Sequence, residues 1–170
     1  APGTHDGGPS DADPPKLTLT GPASVDAATP NEISIPLTLH NEGRHAVVVR
    51  FRPETLDFDV LRDGSLETCA WPAVPAAALR EMFTTLAPGA GEPLDVILSS
   101  YCTTGHSLDE PGLIVVWPKL DTRDASGATL GMRTFNGQIV AAAPTIVRLH
   151  RGASVKPPRH KAPELEPAAP

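Results

Sequence analysis

Large aromatic side chains are scarce in this chain: four Phe, two Trp and one Tyr among 170 residues. All seven lie between Phe51 and Phe135. Cations are outnumbered as well, with 14 Lys and Arg against 20 Asp and Glu, a net charge of −6. The lack of a basic stripe and of spare aromatics argues against a nucleic-acid surface and against an aromatic platform for carbohydrate. No apolar run is long enough to make a membrane-spanning helix. Also missing are a Gly-x-Ser-x-Gly elbow, a phosphate-cradling glycine loop and a His-Glu-x-x-His pair, so the usual hydrolase and nucleotide motifs are not written here. The sequence points away from an enzyme.

Proline is plentiful, and its placement divides the chain. Of 20 prolines, four fall in residues 1–15 and five in residues 152–170. Such ends bury too little apolar area to offset chain entropy, which predicts a Pro/Gly-rich tail over 1–15 and a Pro-rich tail over 152–170. The packed domain is then 16–151, enough for a two-layer core. A basic cluster of Arg148, Arg151, Lys156, Arg159 and Lys161 reads as a solvated strand end running into the second tail.

Within 16–151 the dominant signal is alternation. Ile33, Ile35, Leu37 and Leu39 share one face, with Ser34, Pro36, Thr38 and His40 between them. Leu56, Phe58 and Val60 repeat the pattern around Asp57 and Asp59, and Leu94, Val96 and Leu98 repeat it again. A period of two with polar residues interleaved predicts half-buried antiparallel strands. Asp63-Gly64 marks a hairpin, Pro88-Gly89 a turn, and Gly112–Trp117 a central apolar strand. Ala76–Met82 carries the single helical signal, one or two turns. Eight or nine short strands at intervals near ten residues predict an all-β, immunoglobulin-like antiparallel sandwich.

The run Leu37–Asn41, then Leu56-Asp57-Phe58-Asp59-Val60 with Asp63-Gly64, Trp71, Phe83 and Leu86-Ala87-Pro88-Gly89 resembles the BsuPI-like intracellular proteinase inhibitor family. The resemblance covers about half the domain. It implies an immunoglobulin-like sandwich and, as an alternative function, protease inhibition. The chain departs from that family in its cysteine pair and in the insert Pro72–Arg80.

Cys69 and Cys102 are the two cysteines, each flanking a strand region, and they are expected to form one disulfide in an oxidising compartment. An Ala-Pro-Gly start is expected of a mature end left by signal-peptide removal. Trp71, beside Cys69, and Trp117, at the end of an apolar strand, are expected in the core. Three constellations carry other chemistry and are weaker readings. A copper site from His40 or His45 with Cys102 and His106 lacks an axial Met and loses its thiolate if the disulfide forms. Asp57, Asp59 and Asp63 miss the oxygen spacing of an EF-type calcium loop. His106, Ser107 and Asp109 are neighbours in one loop, where a triad rarely assembles. The leading expectation is a non-catalytic, exported, protein-binding sandwich, an accessory or structural subunit of a cell-envelope or extracellular assembly, with no cofactor. Its candidate partner-binding loops contain Trp71, Pro72 and Pro75 on one side and Thr103, His106 and Asp109 on the other.

Overall fold

The structure, a computed structural model, describes residues 14–72, 77–103, 107–123, 125 and 127–151. The segments expected as tails lie outside these residues, apart from Pro14 and Pro15. In chain order the strands are β1 (Leu17–Thr20), β2 (Ser24–Ala27), β3 (Ser34–Asn41), β4 (Val47–Val49), β5 (Leu56–Arg62), β6 (Ser65–Ala70), β7 (Thr84–Leu86), β8 (Gly91–Ile97), β9 (Gly112–Asp121), β10 (Gln138–Val140) and β11 (Thr145–Leu149). Short 3-10 turns, such as Pro53–Thr55 and Leu98–Ser100, join several of them.

Two principal sheets face each other. The smaller is ordered β1-β3-β8 and is antiparallel throughout. The larger runs β2-β11-β9-β5-β6, with β10 also pairing β9. A third, two-stranded ribbon joins β4 to β7. One pairing is parallel, β2 on β11; the others are antiparallel. The all-β, immunoglobulin-like sandwich read from the alternation is what forms.

The inward rows supply a single core. Leu19, Ile35, Leu37 and Leu39 come from the smaller sheet, and Leu56, Phe58, Val60, Ile114, Val116, Leu120 and Val147 from the larger. All are essentially inaccessible to water, and burying each side chain of this size stabilises the fold by roughly 1.5–3 kcal/mol. Asp63 and Gly64 both take positive φ, at 50° and 78°. They form the two-residue hairpin turn between Arg62 and Ser65 that the sequence called for.

Some local expectations need correction. The helical reading of Ala76–Met82 shrinks to one 3-10 turn, Arg80–Met82, with residues 73–76 outside the described set. The strand expected from Leu94, Val96 and Leu98 starts earlier, at Gly91, and gives way at Leu98 to a 3-10 turn. Ser24–Ala27 is a strand that local pattern did not show. Gly112–Trp117 is central as expected but continues to Asp121.

Candidate functional site

Alternation on β5 puts Leu56, Phe58 and Val60 inward, and by the same period Arg62 is an inward position. An arginine there requires partners. Its Nη1 donates to the Ser107 carbonyl at 2.9 Å and to the Glu110 carbonyl, and Nη2 donates to the Pro111 carbonyl. The side chain is 13% exposed, and the Asp63 carboxylate lies 3.7 Å from its Nε. A planar donor fork thus fixes the 107–111 segment onto the hairpin. Ser107 Oγ in turn donates to Glu67 Oε1 on β6.

The disulfide closes the other side of the same loop. Cys69 and Cys102 are bonded, with Cα atoms 4.7 Å apart. No thiolate is left for the copper arrangement of His40, Cys102 and His106, which is thereby overturned. Next to Cys102, Tyr101 is buried and donates its hydroxyl to the Pro53 carbonyl at 2.5 Å. Burial, with Glu54 and Asp57 nearby, holds this phenol well above its ordinary pKa, so it stays a donor. Tyr101 meets Phe58 edge-on at 4.8 Å and Trp71 edge-on at 5.3 Å.

The candidate loop residues are therefore only partly brought together. Trp71 is 38% exposed and rests on Tyr101. Pro72 and Thr103 are exposed, and Asp109 is half-buried in the arginine-anchored segment. Pro75 and His106 lie outside the described residues. The expectation that both indoles belong to the core is corrected: Trp71 straddles the rim, and Trp117 is half-buried on the outward face of β9. Asp57 and Asp59 do face outward, with Lys119 Nζ 3.1 Å from Asp59 Oδ1.

That outward face of the larger sheet has a feature the sequence reading missed. Register places Leu66, Leu61, Val115 and Ile146 in one row across β6, β5, β9 and β11. The face also carries Leu113 and Val140, and Leu66 and Leu113 are 63% and 62% exposed. The row ends at β6, which among the described residues pairs with β5 alone. The other sheet edges are guarded: β8 carries Glu92, Pro93 and Asp95, while β1 and β2 are four residues each. β6 is six residues long, has no proline, and carries one charge, Glu67. Short strands, proline and charge are how edges are normally blunted. β6 has none of these beyond Glu67; what is fastened to it is the 101–111 loop, through the Cys69–Cys102 bond and the Ser107–Glu67 hydrogen bond.

No protein-family model matches the sequence, so the BsuPI-like resemblance rests on the motif residues alone. No curated protein matches either. Among solved structures, the chain is similar to the CARDB domain of a Pyrococcus furiosus protein, in a solution structure at 13% identity and TM-score 0.32. A crystal structure of that domain, in complex with di-metal ions, gives 15% identity and TM-score 0.34. Each alignment covers 79% of this chain and 94% or 93% of the other.

Proposed function

We propose that this protein is a non-catalytic, exported binding module whose partner is another protein, and that the partner adds an extended segment to the free edge of β6. The observation that carries this reading is the apolar row Leu66–Leu61–Val115–Ile146, which is solvent-facing and runs to an edge strand that, among the described residues, pairs with β5 alone. Strand addition supplies backbone hydrogen bonds, and alternate side chains of the added strand extend the row beyond Leu66. Contiguous apolar surface of this kind marks a protein contact on a folded domain. The Cys69–Cys102 bond supports an oxidising compartment, hence export, and a role as an accessory or structural subunit follows from a surface built for pairing.

A photo-reactive side chain at position 66, introduced in the native producer cells, tests this directly. The expected product is one cross-linked protein, joined through a short segment and absent when the probe sits at exposed Ser34 on the opposite sheet. Leu66→Asp should abolish the complex and leave the fold intact, because Leu66 is mostly in water. Equal labelling from positions 66 and 34, or a product containing only a second copy of this chain, would overturn the reading.

A further inference from the structure

At the end of the sandwich where β1 begins, a cavity of about 550 Å³ opens between the β3–β4 turn and the segment leading into β10. Its walls bring together three cations from three distant parts of the chain: Lys16, Arg44 and Arg133. Phe135 and Val48 contribute apolar surface, and Glu42 is the one carboxylate among the lining residues. That carboxylate is already engaged, accepting a hydrogen bond from Thr18 Oγ1 at 2.8 Å. Among the described residues no ion pair joins Lys16, Arg44 or Arg133 to an acid.

In a chain of net charge −6, gathering three cations against a single carboxylate around a concavity opposes the average. Like charges held together raise the energy of the empty site, and a bound anion relieves it. The walls are also held in place. Asn41 is fully buried; its Nδ2 donates to the His45 carbonyl at 2.8 Å, and its Oδ1 accepts from the Gly43 amide at 2.9 Å, which shapes the turn presenting Arg44. The Glu42 amide donates to the Lys16 carbonyl, and the Phe135 amide donates to the Val48 carbonyl at 2.7 Å. The backbone of all three cation-bearing segments is therefore tied to its neighbours, and the ordering that binding requires falls on the exposed side chains of Lys16, Arg44 and Arg133.

From this geometry we infer that the cavity binds a small organic anion, with its phosphate or carboxylate group among Lys16, Arg44 and Arg133 and its apolar body against Phe135. The volume suits a ligand of one or two rings. This site is separate from the β6 edge and stands whether or not a partner binds there.

Titration of the isotope-labelled full chain with phenyl phosphate, benzoate and inorganic phosphate tests it. Saturable amide shifts over residues 42–46 and 133–135 are expected with phenyl phosphate or benzoate, and the tighter of the two identifies the acid group. Inorganic phosphate should bind more weakly than phenyl phosphate. Arg44→Gln and Arg133→Gln should each weaken binding about tenfold, the scale of one charge-assisted contact. Arg148→Gln, on the outer face of β11, should have no effect. Three results would overturn the assignment: no saturation at millimolar ligand, affinities untouched by Arg44→Gln and Arg133→Gln, or equal affinity for phosphate and phenyl phosphate.

Discussion

Asn41 Nδ2 donates to the Leu86 carbonyl at 2.9 Å, joining the last residue of β3 to the last residue of β7 through an amide with no exposure to water. The same amide serves the His45 carbonyl and the Gly43 N–H, so one side chain satisfies three backbone groups. Replacing it by Asp would aim a carboxylate at two carbonyl oxygens. Asn41→Asp should lose about 3 kcal/mol or more at neutral pH, more than Asn41→Leu, because a buried charge then keeps only the Gly43 N–H as donor while its other oxygen faces two carbonyls. The gap between the two variants should narrow as the new carboxyl protonates in acid. Urea unfolding of both variants across pH measures this.

Replacing Cys69 and Cys102 by Ala removes a cross-link spanning 33 residues. The chain-entropy relation puts the loss at roughly 4 kcal/mol. Amide exchange should accelerate first around Tyr101–Thr103 and at β6. Equal stability of the oxidised protein and the double variant would contradict this.

Arg62 anchors three carbonyls, and a lysine cannot span them, since its ammonium is a compact point donor. Arg62→Lys should therefore be about as destabilising as Arg62→Met, in the range of ~2–4 kcal/mol. Amide exchange across Ser107–Pro111 should rise in both variants. Wild-type protection of that segment in Arg62→Lys would refute the anchoring role.

Asp57 is held above its ordinary carboxylate pKa chiefly by burial, with Asp121 and Asp59 adding to the shift and Lys119 opposing it. A raised native pKa means the folded state binds the proton more tightly, so this group's contribution to stability falls as pH rises from 3.8 through the raised value. Asp57→Asn should be the more stable protein at neutral pH, by well under about 1 kcal/mol given solvent screening. The advantage should vanish below pH 3.8. Asp121 runs the other way: the hydrogen bond from Arg123 lowers its pKa against some burial, so its stabilisation is lost as acid protonates it. Denaturation midpoints of Asp57→Asn and Asp121→Asn against pH should diverge in these opposite directions.

How far the fold can be read ahead depends on where each element finds its partners. β3, β5 and β9 are visible because one face of each is buried, and burial writes a period of two into the sequence. β2 has Val25 as its only large apolar residue, and its neighbour lies at the far end of the domain, so nothing local announces it. β8 contains Gly91 and Pro93, poor strand residues that an edge position tolerates. The alanines before Arg80 favour helix by propensity, yet just one 3-10 turn forms in the described part of that segment. Among site residues, the cysteine pair was legible from spacing and compartment. An inward-phase arginine at 62 was a signal in plain view, since a charge at a core position must be paired. The cluster of Lys16, Arg44 and Arg133 was not legible, because those residues meet only through the packing of separate turns.

The parallel pairing of β2 with β11 also sets the timing of folding on the ribosome. Val25 sits opposite Val147, and β11 lies between β2 and β9. Residues 24–27 therefore have no partner strand among the described residues until nearly the whole domain has been synthesised. β1, β3, β5 and β6 complete their hairpin-like pairings earlier, while the larger sheet waits for β11. Closure of so long a loop is slow and leaves sheet edges open meanwhile. Nascent chains stalled before β11 emerges should be sensitive to protease throughout β2, and chains released after Leu149 should not.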